Sequence, residues 1–411
     1  MAKFSPGNIL VAIDIGTTKI CVIVAQHTNF EHVEIMGIGR SPSEGLSKGV
    51  VVDVAKTIHS IKTAVKEAEI MAGIEIESAC IGISGSHIQS LNSTGAVPIG
   101  NRQVRAADVQ RAIEAAQAIP VPEGQQILHS LPLYFIIDSH IKVHDPLGMH
   151  GIRLEVHVHI ILGAVSSVQN LVTCCEQAGV KVNDIILEQL ASADAVLSDD
   201  EKKLGVAVLD IGGGTADLAI YQHGSIRHTM VLPIAGNHFT NDVAIGLRTT
   251  ITDAERVKRE YGIAHMNYME QDDLIEVEMV HGNQKNIVYL HELVAILQPR
   301  AIELLSLVHE EIITRKLSQF MTTGLVITGG GSLLRGMKET AQQLFSTPVR
   351  IGSPRLHHDA PESLNSPIYA TGYGLIMYTL KKHGKKLSVD TQGQMVQRIF
   401  ERMKIWVSDF F

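Results

Sequence analysis

Two short stretches of the chain carry the same chemistry. AIDIGTTK (12–19) and VLDIGGGTAD (208–217) each read as strand, Asp, any residue, Gly, a Thr-bearing turn, then strand. A tight turn rich in glycine and threonine, as at Gly16, Gly212, Gly213 and Gly214, presents several backbone N–H groups together. Such groups can cradle phosphate oxygens. Thr17, Thr18 and Thr215 add hydroxyl donors, and Lys19 adds a positive charge. Asp14 and Asp210 end their strands at the turns. There they would hold the hydrated Mg²⁺ of a nucleotide, because Mg²⁺ keeps waters and takes one or two carboxylates. One such turn is a common hairpin feature. Two of them, one in each half of the chain, point to a duplicated domain gripping one nucleotide from both sides.

A third glycine motif, VITGGGSLLRGM (326–337), leads from a strand into a helix. Gly329, Gly330 and Gly331, followed by Ser332, let backbone approach a flat ligand closely, as suits an adenine ring and its sugar. A dinucleotide fold fails at the second turn. Starting the G-x-G-x-x-[GA] pattern at Gly212 puts Asp217 in its last slot, and the turn leads into a strand. At the third motif a Rossmann-type loop stays open, with imperfect spacing.

The elements that must position these turns follow from pattern. The segment 8–25 reads as a hairpin of two β-branched runs. A helix is expected over 53–73, with Asp53 as N-cap and Gly73 as stop; 78–85 is a buried-type strand. From about 86 to 161 the pattern changes to a helical stretch, a Pro-rich turn and two strand-like runs, a small α+β module of its own. The first domain resumes over 162–200 and a second runs over 201–380. Helices dominate 237–316, with a strand-like interruption near LIEVEMV. A small-residue helix is expected at about 366–380, and it can return to the first domain.

Composition bounds the rest. The chain has 411 residues, enough for two to four domains. Hydrophobic residues make up 45% and charged residues 19%, ordinary for a soluble globular protein. The net charge of −8 gives no support to nucleic-acid binding. Cys21, Cys80, Cys174 and Cys175 lack C-x-x-C spacing and read as buried thiols in a reducing compartment. His157 and His159 alternate on one strand face, but nothing nearby completes a metal site. No signal peptide is evident. No apolar run approaches the roughly 20 residues that span a bilayer, so a cytoplasmic protein is expected unless something carries it to a surface.

Something at 395–411, MVQRIFERMKIWVSDFF, can do that. It holds the only tryptophan, whereas aromatics are 4% of the chain. On a helix, Met395, Val396, Ile399, Phe400, Met403, Trp406, Val407, Phe410 and Phe411 fall on one side, and the polar residues fall on the other. Only Ile405 is out of place. Core helices look similar. However, 381–394 reads as a flexible basic linker, the apolar face lacks Ala and Gly, and Arg398, Arg402 and Lys404 flank it. Bulky aromatics with basic charge are the pattern of an interfacial helix on anionic lipid.

The order of these motifs resembles the actin/Hsp70/sugar-kinase superfamily. First phosphate turn, connecting helix EQLASADAV, second phosphate turn, Gly-Gly-Gly turn and connecting helix SPIYATGYGL follow in that sequence. Within it the chain is similar to the FtsA family of bacterial cell-division proteins over essentially its whole length. The inserted module, the lack of an equivalent of actin's second subdomain and the tail single that family out. The resemblance implies an actin-like duplicated α/β ATPase fold with an SHS2-like insert and a C-terminal amphipathic helix. It implies ATP and Mg²⁺ at the residues named above. Glu255 and Lys258 of DAERVKREYG would contact the adenosine, although a solvated helix face is the plain reading of that pair. Glu188 would orient an attacking water, or it is a carboxylate favoured at a helix start. By the same resemblance the protein would polymerise on the cytoplasmic face of the inner membrane at the division site, anchor FtsZ filaments and recruit later divisome proteins through the insert. A metabolic kinase and a pilus-assembly scaffold of the same superfamily are the alternatives.

Overall fold

The structure is a computed structural model. It describes residues 9–27, 33–280, 285–356 and 360–390, with side chains to Lys382. The tail 395–411, with every residue assigned to the membrane above, lies outside the described residues.

The duplication read from the two turns is a duplication of whole sheets. The first sheet has the strand order Lys181–Leu187, Ser78–Ile83, Ile9–Ile15, Lys19–His27, Val33–Pro42. The second has the order Val349–Ile351, Leu325–Thr328, Val206–Ile211, Ala216–Gln222, Ser225–Leu232. In each, three consecutive strands form an antiparallel meander, and two later strands add in parallel on the other side. Parallel strands need crossovers, and those crossovers cover the sheet faces with helices. That is why Ala12–Ile15 and Val206–Ile211 are uniformly buried rather than alternating.

The first helix is Val54–Ala72, as capping predicts. The Asp53 side chain accepts from Lys56 N, and Gly73 closes the helix in the left-handed region at φ 68°. Between the strand Ser78–Ile83 and the helix Val165–Gln177 the insert builds its own sheet, in the order Gln89–Gln103, His150–Ala164, Gln125–Ile137, Ile141–Val143. Its helix Ala106–Gln117 packs over a separate core that includes Val97, Ala112, Phe135 and Val156. The insert rests on the second sheet's edge strand: Ser90 Oγ donates to Thr229 O at 2.9 Å.

Two expectations need correction. The interruption near LIEVEMV is one strand of a hairpin, Leu274–Glu278 with Lys285–Tyr289. The second strand was not foreseen in a segment read as helical. The final helix, Ala370–Asp390, runs into the segment read as linker. Lysine is a good helix former, and Lys381 and Lys382 find acids to pair with, Asp194 at 3.1 Å and Asp184 at 2.5 Å. Polarity without periodicity concealed that docking.

Two helices join the halves, Glu188–Val196 and the final helix. They meet where Gly374 lies on Ala191. A Cβ at Gly374 would come 1.9 Å from the Ala191 carbonyl oxygen. Small residues at this crossing let the connectors touch backbone to backbone. A Gly374→Ala chain should lose about 1–3 kcal/mol of stability from overpacking, read as a lowered urea midpoint with an unchanged slope.

Candidate functional site

Between the two sheets lies a cleft of about 780 Å³. Both phosphate-type turns open into it, as do the third glycine turn and the helix Ile251–Tyr261. Asp14, Gly16, Thr17, Thr18 and Lys19 line one wall. Asp210, Gly212, Gly213, Gly214 and Thr215 line the opposite one. Gly329, Gly330 and Gly331 close one end, with Glu255 and Lys258 beside them. Ser332 is set back from the wall: it is buried, and its hydroxyl donates to Gly329 O at 2.7 Å, which stiffens the turn.

The two turns close in the same way. Gly16 N donates to Lys19 O at 3.1 Å, and Gly212 N donates to Thr215 O at 2.9 Å. They face each other at close range. A Cβ on Gly213 would lie 1.8 Å from Thr18 Oγ1, and one on Gly214 would lie 2.3 Å from Thr17 Oγ1. Side chains at these two positions would therefore push the halves apart. The helix Gly236–Gly246 starts directly on the second turn, with Gly236 N and Asn237 N donating to Gly212 O and Gly213 O.

Asp14, Glu188, Asp210 and Asp217 all line the cleft, with Lys19 among them. Asp14 pairs with Lys19 at 3.2 Å, and Lys19 also donates to Ile368 O at 2.7 Å. Burial works against the Lys19 ammonium, but Asp14 overrides it and holds the pKa above its ordinary value. Asp210 accepts from Thr371 Oγ1 at 3.0 Å, and burial pushes it up to about 6. Asp217 accepts from Ser84 Oγ at 2.5 Å and Thr215 Oγ1 at 2.8 Å, and burial pushes it up to about 7. Glu188 also lines the cleft. Burial, then Asp14, Asp217 and Asp210, raise it well above the ordinary carboxyl range.

Among the described residues no group of three or more His, Cys, Asp or Glu is placed to hold a metal ion. Carboxylates that share a cleft yet stay apart fit a dication bound through its waters, which Mg²⁺ prefers.

Glu255 and Lys258 are more than a solvated face. They pair at 2.6 Å; Glu255 accepts from Thr240 Oγ1 at 2.5 Å, and Lys258 donates to Gly236 O at 3.1 Å. His157 and His159 part company. His159 is buried between Asn92 Oδ1 (2.7 Å) and Thr229 Oγ1 (2.9 Å), and burial holds its pKa at about 3. His157 stacks on Tyr134 and pairs with Glu155.

Several cleft residues escaped the sequence reading. Asp217 stood inside the quoted second motif and Thr371 inside the last connecting helix. Their strand and helix positions carried no signal of which way they point. Ser84 and Asn237 had no motif at all, since only the fold brings them to the turns.

Family models match the chain twice, as "Cell division protein FtsA" over residues 207–374 and as "SHS2 domain inserted in FTSA" over residues 85–162. Among curated relatives, the cell division protein FtsA of Pseudomonas aeruginosa is 42% identical and aligns over 100% of both chains. That of Bacillus subtilis is 37% identical over 95% of this chain and 89% of its own, and that of Escherichia coli K12 is 34% identical over 99% and 97%. Among solved structures, the PilM-PilN type IV pilus biogenesis complex superposes with a TM-score of 0.64 at 17% identity, covering 90% of this chain and 98% of that one. MreB5 of Spiroplasma citri bound to ADP superposes with a TM-score of 0.56 at 17% identity, covering 93% and 99%. At such identities the structures speak for fold alone.

The raised carboxyls have a consequence for stability. A carboxyl that binds its proton more tightly when folded stabilises the fold fully below its unfolded pKa and loses that contribution as pH rises through its folded value. For Asp217 the window runs from about 4 to about 7. Asp217→Asn should flatten the fall in stability over that window, by roughly 1 kcal/mol per pH unit at most, in urea titrations of nucleotide-free protein.

Proposed function

The chain belongs to the FtsA family of cell division proteins, and from that premise we propose that it is an actin-like ATP-binding protein that polymerises on the cytoplasmic face of the inner membrane. There it tethers FtsZ filaments at the division site and recruits later divisome proteins through the insert. The observation that carries this reading is the pair of matching turns that face each other across one acid-lined cleft.

ATP would lie with its phosphates between the turns. Backbone N–H groups and the hydroxyls of Thr17, Thr18 and Thr215 would bind phosphate oxygens, and Lys19 would supply charge. Asp14 and Asp210 would hold Mg²⁺ through water, and the ion's charge would offset that of the carboxylates. Gly329, Gly330 and Gly331 would take the adenine side, with Glu255 and Lys258 near the sugar. Glu188 would position a water, and its raised pKa makes its carboxylate a stronger proton acceptor than an exposed one. Because the bound phosphates touch both turns, occupancy favours the closed cleft by its differential contacts with the two lobes.

The tail would supply the membrane. One amphipathic helix binds reversibly, and many carried on one filament bind far more tightly through effective concentration. A kinase on this fold would need an acid placed to deprotonate a second substrate, and it has no use for such a tail. The likeness to a pilus biogenesis complex is one of fold.

Two experiments test the reading. Lys19→Ala should weaken ATP binding at least tenfold in calorimetry; full affinity would count against the phosphate assignment. Trp406→Glu should abolish sedimentation with vesicles while leaving ATP affinity unchanged.

A further inference from the structure

The insert meets the second half along a seam of basic residues. Tyr134, on the insert strand Gln125–Ile137, is its centre. Lys142 Nζ lies 3.8 Å from that ring's centroid, and Arg227 Cζ, from the second half, lies 5.4 Å from it. Arg227 also lies 5.7 Å from the Phe320 ring. Its Nε is buried with no hydrogen-bond partner, and among the described residues Arg227 enters no ion pair. His144 and His223 extend the cluster, with ring centroids 6.4 Å apart. Lys142, His144 and His223 are exposed.

Among the described residues no acid pairs with Lys142, Arg227, His144 or His223, and Glu155 on the neighbouring strand is taken by Arg153 and His157. The two aspartates flanking Lys142 are turned to backbone. Asp138 accepts from Ile152 N and Arg153 N at 2.8 and 2.9 Å, and Asp145 accepts from Leu147 N at 3.0 Å. Burial, then Arg227, Lys142 and His144, lower the His223 pKa; mutual repulsion of this kind is what an anion would relieve.

The seam is linked by bonds to the final helix. His223 N and Gly224 N donate to Lys203 O and Lys202 O, both at 2.9 Å. The Lys202 ammonium pairs with Asp194, and Asp194 also receives Lys381 of the final helix. That helix continues toward 391–411. A short chain of bonds thus joins the seam to Lys381, midway along that helix. Lys203 is 68% exposed on the same link, 4.0 Å from Asp200.

We propose that this seam is a second, body-borne contact for the phosphate groups of an anionic lipid surface, which fixes how the body sits once the tail has inserted. The inference rests on the membrane reading of the tail given above. Two features favour lipid over an acidic protein segment: the cations are linked through Lys202 and Asp194 to the helix that precedes the tail, and their aromatic support gives guanidinium and ammonium groups a partly dry platform. Surface-bound basic residues gain about fivefold in affinity each on anionic lipid, the equivalent of about 1 kcal/mol. The seam also spans two lobes, so lipid engaged by both Lys142 and Arg227 would bind the insert to the second half.

The test is sedimentation of the full chain with vesicles of phosphatidylglycerol and phosphatidylcholine, against phosphatidylcholine alone. Lys142→Glu and Arg227→Gln should each weaken binding to the anionic vesicles roughly fivefold. Both should leave binding to neutral vesicles and to ATP as in the parent. Lys142→Arg should retain anionic-vesicle binding. Parental affinity of Lys142→Glu for anionic vesicles would overturn the proposal. So would a loss of equal size on neutral vesicles. If Lys142→Glu instead abolishes binding of polyglutamate and spares the vesicles, the seam is a protein contact and the lipid assignment fails. Trp406→Glu separates the two readings: undiminished vesicle binding by that chain would refute the tail's role, whereas the seam is judged by the charge dependence at Lys142.

Discussion

Everything in this molecule is arranged around carboxylates confined to one cleft. Asp14, Asp210, Asp217 and Glu188 face a space in which Lys19 is bound directly to one of them. Burial and mutual repulsion raise three of the four toward neutrality. A cation close to these carboxylates would favour their charged forms. The hydroxyls of Thr371, Ser84 and Thr215 hold the acids in place meanwhile. Two of these bonds cross between elements of different halves, so the closed arrangement depends on the charge state of the cleft as well as on packing.

The duplicated sheet explains how the constraint is built. The same strand order occurs twice, and each copy sends an aspartate and a glycine turn to the end of its first strand. The copies differ where their tasks differ. The first turn carries a lysine and two threonines, with room for their side chains. The second places Gly213 and Gly214 ahead of its own Thr215, and those two glycines accept the approach of the first turn's threonines. Complementarity between a bulky turn and a bare one lets two similar halves meet without clashing.

Much of this was legible from sequence because backbone geometry leaves a local mark. A turn that must expose N–H groups needs Gly and Thr at fixed places, and a buried parallel strand needs an unbroken apolar run. Those marks gave the two turns, the third glycine motif and the first helix with its caps. Long-range partners leave no such mark. Ser84 joins Asp217 only because the two lobes close on each other, and Thr371 reaches Asp210 only because the last helix returns across the first sheet. The extension of that helix past Leu380 was concealed for a related reason. Its lysines look like linker until Asp184 and Asp194 are brought beside them.

That last helix begins with a hydroxyl bonded to an acid of the second half and is clamped midway by lysines to the first. Thr371 touches Asp210, whereas Lys381 and Lys382 hold Asp194 and Asp184. The middle of that helix is therefore moored to the first lobe. If the cleft opens, the second lobe swings while the mooring stays still, and the hinge torque falls on the threonine end. A cable fixed to one shore leaves the other free to move.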